Sequence, residues 1–543
     1  MTLTSPSGFR GAFRSDDDAR AVYSESAGIA RAWPLAVAVP EDVADLSLLT
    51  AWATQTGTPL IPRGSGSSMP NGAIGAGVIV DLSRWRRIGA VNRDARTIRV
   101  EPGVLRSTVD RAAREVGLRF PVDPSSGAFC TIGGMASTNA AGSHSMRFGS
   151  MRSWVHAVHC VFADGTEAEV RRGAADPAGV PAIERFRDLS TRFNAWRPAI
   201  SSAHRGVIKD SSGYGLGDFF RSGSLVDVLV GSEGTLACFV ELELALIPAP
   251  HATSSVLGAF ASIEAAVIAA RNARNAGAAA CELLDRTFLD VAASGGAPRQ
   301  LPAETESALL AEVEADDPSG AASAALSIER IFRDAGATTV RVALDQPTET
   351  ELWELRHAAS PILARLDPHL RSMQFIEDCA VPPERIPDFV RGVRAILNAN
   401  DTRGVIFGHA GDAHVHVNPL IDVGNPQWRS RVESILSAVT DLTASVGGTL
   451  TGEHGDGRLR TPLLDHVWPS AALDAFRAVK AAFDPAGILN PGVKVALPGE
   501  RPLEEIKYDP TLPPLPPRAR AALDRIDRER AYAQFRLDLL DRV

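Results

Sequence analysis

Four of the chain's 12 histidines fall between positions 409 and 454: His409, His414 and His416 in GHAGDAHVHV, and His454 in GEHGDG. On a strand over residues 413–418 the side chains alternate, so His414, His416 and Asn418 share one face and Val415 and Val417 take the other. His409 lies one Gly-Asp turn earlier. Two or three imidazoles with the carboxylate of Glu453 can hold a divalent metal with open positions, and that donor set suits zinc, manganese or iron. A single histidine is more often a satisfied structural residue; this grouping beside two Gly-Asp turns favours a site.

Two glycine-rich clusters come earlier in the chain. Pro62-Arg63-Gly64-Ser65-Gly66-Ser67-Ser68 follows an apolar run and offers backbone N–H groups without bulky side chains, which suits close approach to a pyrophosphate. It lacks the GK[ST] ending of a nucleotide P-loop, and no helical segment follows it directly. Alone it reads more readily as a plain loop. The second cluster is more informative: Pro124-Ser125-Ser126-Gly127-Ala128-Phe129-Cys130-Thr131-Ile132-Gly133-Gly134-Met135-Ala136-Ser137-Thr138-Asn139-Ala140-Ala141-Gly142 is almost continuously small or hydroxylated, which packing alone rarely demands.

The elements that must position these groups follow from local pattern. Short apolar runs at 35–40, 77–83 and 97–104 are separated by glycine-rich turns, while 43–56 and 104–117 carry helical spacing. Residues 155–170 read as a hairpin turned at Asp164-Gly165, and 238–250 as a strand. Pro248 to Pro250 mark a border. Beyond it, 262–277 is helical, 303–330 reads as helix, loop and helix, and 338–344 and 403–420 are strand-like. The pattern is α+β: a first domain over 34–248 after a polar lead-in (1–33), then a second over 249–495 with helices on one face of an antiparallel sheet. A Pro-rich tail with a charged helix occupies 496–543.

Composition bounds the function. A chain of 543 residues exceeds a single core, and 46 Gly with 36 Pro signal many tight turns. Net charge is −9 with no Lys/Arg block, which argues against nucleic acid. Cys130, Cys160, Cys238, Cys281 and Cys379 form no CxxC pair, so no iron–sulfur cluster or zinc ribbon is encoded locally, and buried thiols in a reducing cytoplasm are expected. No leader-like apolar segment opens the chain and no run is long enough to span a bilayer; peripheral association with a membrane stays open.

Together with Val100-Glu101-Pro102-Gly103-Val104, Lys209-Asp210-Ser211-Ser212-Gly213-Tyr214 and Gly231-Ser232-Glu233-Gly234-Thr235-Leu236, the two glycine clusters resemble the flavin-binding (PCMH-type) domain of the vanillyl-alcohol oxidase and D-lactate dehydrogenase superfamily. The resemblance implies a non-Rossmann FAD site between residues 62–68 and 124–142, with further contacts at Glu233 and Asn490 and the flavin ring facing the second domain. Some relatives attach flavin covalently through a His of the first loop. Residues 62–68 contain none, so noncovalent FAD is expected.

GHAGD, GEHGDG and DPAGILNPGVK (484–494) resemble the C-terminal substrate, or cap, domain of FAD-linked D-2-hydroxyacid dehydrogenases of the D-lactate, glycolate and D-2-hydroxyglutarate type. By that resemblance His409, His416 and Glu453 are metal ligands, His454 is the base and Arg356 anchors the substrate carboxylate. Ser360, one turn after Arg356, and His414 are further substrate contacts. The implied reaction oxidises a D-2-hydroxy acid to the 2-oxo acid, hydride leaving C2 for flavin N5 as the hydroxyl loses its proton. A surface ion pair with Glu351 or Glu354 is the competing expectation for Arg356.

The chain departs from that pattern at two places. Ala413-His414 stand where the family has Gly-Asn, and Ile376 stands where dicarboxylate-oxidising relatives carry Lys, which points away from 2-hydroxyglutarate. The tail resembles a connector that in larger relatives leads into an iron–sulfur domain. It implies a separate electron acceptor, whether an iron–sulfur subunit, an electron-transfer flavoprotein or a quinone; the simpler expectation is a tail packed on its own flavin domain or on a second copy in a homodimer. The competing functions are an alkylglycerone-phosphate-synthase-like flavin transferase and a noncatalytic flavoprotein subunit.

Overall fold

The computed structural model describes residues 3–294, 301–357 and 369–541. Its first sheet is built from very short apolar strands. Ala36–Val39, Val78–Asp81 and Leu60–Arg63 pair in parallel, with Ala12–Arg14 antiparallel at the edge. Runs such as AVAV and VIVD lack polar alternation because both faces of the sheet are covered. Ala36, Ala38, Val78 and Val80 face Leu46, Leu49 and Ala53 of the helix Val43–Thr56. That helix starts on the Asp42 side chain, which accepts the Asp45 N–H, and stops at Gly57 with φ 68°. Val37, Ile61 and Ile79 face the opposite way, onto Ala519, Ala522, Leu523 and Ile526 of the tail helix Pro517–Glu529.

The tail therefore packs on its own first sheet. Its helix is interrupted at Arg530, φ 52°, before the short helix Arg536–Leu540, rather than running on unbroken. The polar lead-in is likewise part of the fold. Ala12–Arg14 joins the sheet, and Asp17–Val22 buries Ala21 and Val22 against the tail.

A second sheet, in the order Thr97–Val100, Cys238–Ala245, Val155–Val161, Glu167–Arg171, is antiparallel throughout. Gly165, φ 85°, makes the expected hairpin turn. The core beside it receives a late segment: Leu464, Trp468, Phe476, Val479 and Phe483 pack among Phe162, Phe186 and Phe219.

The third sheet runs Thr339–Ala343, Ala252–Phe260, Ser307–Ala315, Ala280–Asp285, Arg403–His409, His414–Asp422, Leu370–Ser372, all antiparallel, with Cys379–Ala380 also on His414–Asp422. Two expectations change here. Ser307–Ala315 is a strand where Ala and Glu content suggested a helix, because Leu309, Leu310 and Ala311 are buried between two neighbouring strands and that burial outweighs propensity. Helices also cover both faces, not one. Ile263–Asn275, Pro318–Asp334, Ile386–Ala399 and Trp428–Ser445 bury one face, while Arg286–Ser294 and Gln346–His357 meet Leu257, Leu284 and Leu310 on the other. Among the described residues no helix is long and apolar enough to cross a membrane.

Candidate active site

The central strand pair of the third sheet sets the histidines. Arg403–His409 and His414–Asp422 pair so that His409 stands opposite His414 and Phe407 opposite His416. The turn Ala410–Asp412 closes through Ala413 at φ 59°, a left-handed position that glycine would occupy with less strain. Glu282, on the neighbouring strand, lies opposite His409. Its Oε1 is 2.6 Å from His409 Nδ1 and its Oε2 is 2.8 Å from Arg356 Nε. Burial would raise the Glu282 pKa, but His409 and Arg356 outweigh it and hold the carboxyl well below its usual range. Arg356 thus pairs with Glu282 rather than with Glu351 or Glu354, and its guanidinium lies 4.8 Å from the Phe407 ring centre.

Glu453 and His454 arrive on the Gly452–Gly457 turn. Asp378 clamps that turn: it accepts the backbone N–H of His454 (2.9 Å) and of Glu453 (3.2 Å), the hydroxyl of Thr451, and Arg460 (3.2 Å). Gly457, φ 50°, passes so close to Pro70 that a Cβ would lie 1.9 Å from the Pro70 carbonyl oxygen, so no side chain fits there. Glu453 Oε1 then stands 3.6 Å from Nε2 of both His409 and His416 and 3.5 Å from Nε2 of His454. Lys209 Nζ stands 2.6 Å from Glu453 Oε2, an ion pair by distance that lies off the direction of a hydrogen bond.

The ring protons can be placed. His416 Nδ1 is 2.6 Å from the Glu377 carbonyl oxygen, which only accepts, so Nδ1 carries the proton and Nε2 a lone pair. His409 Nδ1 likewise donates to Glu282, so Nε2 is the ring nitrogen turned towards Glu453. Two imidazole nitrogens and a carboxylate oxygen converging, with the far ring nitrogens tied down, is how proteins present ligands to a metal, and the residues fit a divalent cation. Burial lowers the His416 pKa well below its ordinary value, reinforced by His414. Burial also opposes protonation of His454, but Asp378, Glu377 and Glu453 outweigh it and raise its pKa to about 10.

Segments from the N-terminal half of the chain meet this site directly. Ser145 Oγ donates to Asp412, Ser211 Oγ to the Gly452 carbonyl (3.0 Å), and the Gly213 N–H to Asp456 (2.8 Å). The two glycine loops touch, since a Cβ on Gly64 would lie 2.2 Å from Thr131 Oγ1, and Ser68 Oγ is buried without a hydrogen-bond partner among the described residues. A paired loop with a spare buried hydroxyl fits a phosphate-bearing cofactor. Several side chains expected at the cofactor are committed to the protein. Arg63 binds the carbonyls of Tyr23, Glu25 and Ala73. Glu233 accepts the N–H groups of Asp456 (2.6 Å) and Gly457 (3.0 Å) and pairs with Lys494 (3.0 Å). Asn490 donates to the carbonyls of Gly72 (3.0 Å) and Glu233 (2.7 Å), and Asn139 accepts the Arg152 N–H (2.9 Å). Ser360 lies outside the described residues.

Residues 249–493 match the family of FAD linked oxidases, C-terminal domain, and residues 34–171 match the FAD binding domain family. The chain is 30% identical over 494 residues to the glycolate oxidase subunit GlcD of Bacillus subtilis (strain 168), covering 88% of this chain and 93% of that one. It belongs to the FAD-linked oxidase family. This oxidase is also 29% identical over 463 residues to the probable mitochondrial D-lactate dehydrogenase of Danio rerio, covering 84% of each chain. In fold it is similar to the vanillyl-alcohol-oxidase-type structures: p-cresol methylhydroxylase with substrate bound superposes with TM-score 0.66 at 13% identity, over 90% of this chain and 95% of that one. The protein is an FAD-dependent oxidoreductase.

The structure brings to this site residues that sequence reasoning did not assign. Glu282 sits in the apolar run ACELLD, Glu377 and Asp378 in FIEDCAVP, and Lys209 in KDSSGY. All four are buried. A charge inside an otherwise apolar strand is itself a signal of a partnered, functional group, and Glu282 carried that signal.

Proposed function

We propose that this FAD-linked oxidase converts a D-2-hydroxy acid to its 2-oxo acid and passes the electrons to a separate acceptor, an iron–sulfur subunit, an electron-transfer flavoprotein or a quinone. The reading is carried by one arrangement: His454, Arg356 and the His409–His416–Glu453 group share one site where the flavin-side loops meet the third sheet. Bound FAD, held noncovalently by the loops 62–68 and 124–142, supplies the two-electron sink. A divalent cation on His409, His416 and Glu453 supplies Lewis acidity that favours loss of the substrate's hydroxyl proton.

The chain's own groups divide the remaining work. Arg356, its Nε fixed by Glu282, presents its terminal nitrogens to the substrate carboxylate as a planar fork that Lys does not reproduce. His454 Nε2 receives the hydroxyl proton, and Glu377 fixes the ring by a 3.1 Å contact at Nδ1. Glu453 is one of three carboxylates, after Asp378 and Glu377, that raise the His454 pKa, so a cation that offset the Glu453 charge would favour the neutral imidazole a base requires. Buried apolar Ile376, in place of a second cation, favours monocarboxylates.

The test is anaerobic mixing of the purified flavoprotein with a panel of D-2-hydroxy acids and their L enantiomers. Loss of the oxidised flavin band with at least one D acid, and not with its enantiomer, is expected. An unchanged spectrum across the panel would overturn the proposal.

A further inference from the structure

The His414 ring has one nitrogen that no hydrogen bond accounts for. The imidazole is fully buried, and its Nε2 is 2.8 Å from Asp378 Oδ1. Asp378 is simultaneously paired with Arg460 and accepts two backbone N–H groups, so it is an acceptor and Nε2 carries the proton. The lone pair is then on Nδ1, which is buried and has no hydrogen-bond partner among the described residues. Leaving such an atom unsatisfied costs about 1–3 kcal/mol. One ligand atom from each of His409, His414, His416 and Glu453 lies within 4.8 Å of the other three.

We infer that His414 is a fourth protein ligand, so that this chain holds its divalent transition metal through three imidazoles and one carboxylate. The inference rests on the reading of His409, His416 and Glu453 as a cation site. Each imidazole then has the same construction: one nitrogen donates to an oxygen, of Glu282, Asp378 or the Glu377 backbone, and the other faces the ion. Lys209 occupies Glu453 Oε2 and leaves Oε1 to the ion. Four protein ligands close a tetrahedral site, so a substrate can join only an ion that accepts five or six ligands, which favours manganese or iron over a four-coordinate zinc.

X-ray absorption at the metal edge of the loaded wild-type flavoprotein counts the imidazoles without any substitution: three are expected, and two would overturn the inference. A second arm titrates Co2+ into metal-free wild type, H414N and H409N, with flavin content and melting temperature checking the fold. H414N is expected to weaken Co2+ binding about tenfold or more and to change the Co2+ ligand-field bands. Unchanged affinity and bands in H414N, with binding lost in H409N, would overturn the His414 assignment and leave the cation site standing. Absence of Co2+ and Mn2+ binding by the wild type would overturn both.

Discussion

His454 is the most open imidazole of the group. Its side chain is 26% exposed, against 7% for His409, 10% for His416 and none for His414. This difference in exposure supports the proposed division into base and ligands, because a proton acceptor must reach substrate and release the proton to solvent. His454→Ala is therefore expected to lower the rate of flavin reduction by about 10²- to 10⁴-fold while substrate affinity, read from perturbation of the flavin spectrum, changes little. Arg356→Lys should do the reverse and raise KM more than it lowers kcat, since the fork is lost and the charge is kept. Glu282→Ala removes the shared partner of the half-buried Arg356 guanidinium and the buried His409 ring and should cost about 3–5 kcal/mol in denaturant unfolding; an effect confined to activity would refute its structural role. GHAGDAHVHV and GEHGDG brought His409, His416, Glu453 and His454 together in the sequence because strand alternation and short turns fix their spacing. Asp378 was hidden because its work is done on backbone N–H groups far away in the chain, which no local pattern records.

At the scale of elements, the strands whose runs were continuous and apolar were legible, and Ser307–Ala315 was not. SALLAEVEA has helix-forming composition, and only its place between two strands makes it extended. The tail helix shows the opposite case, a charged amphipathic stretch visible in sequence whose partner was not. Its apolar face covers Val37, Ile61 and Ile79. Leu523→Ala in that face should destabilise the protein by about 2–5 kcal/mol, measured by denaturant unfolding, whereas a tail held only by an external partner would show no change in the isolated chain.

The whole molecule depends on contacts between segments far apart in sequence. Residues 464–483 return to the core beside the second sheet, and Glu233, Asp456, Lys494 and Asn490 tie the flavin-side loops to the turn that carries Glu453. A chain read from end to end carries no signal for such returns, since each half of the contact is locally unremarked. His144 bridges the halves as well, 2.8 Å from Glu312 of the third sheet, with Asp123 on its other nitrogen. Burial opposes its protonation, but Asp123 and Glu312 outweigh it and raise its pKa to about 11. A folded-state pKa above the unfolded value, roughly 6.5, means the bridge contributes fully below that pH and is lost as pH rises towards 11. Between pH 7 and 10 the melting temperature of His144→Gln should fall less than that of wild type; parallel falls would show that the bridge does not contribute.

The central claim is that the site removes hydride from C2 of a D-2-hydroxy acid. Anaerobic single-turnover reduction of the bound flavin by the best D acid, compared with the same acid deuterated at C2, tests this most directly. The account predicts slower bleaching with deuterium and one equivalent of 2-oxo acid per flavin reduced. Bleaching at the same rate without 2-oxo acid, or no bleaching by any D-2-hydroxy acid, would contradict it.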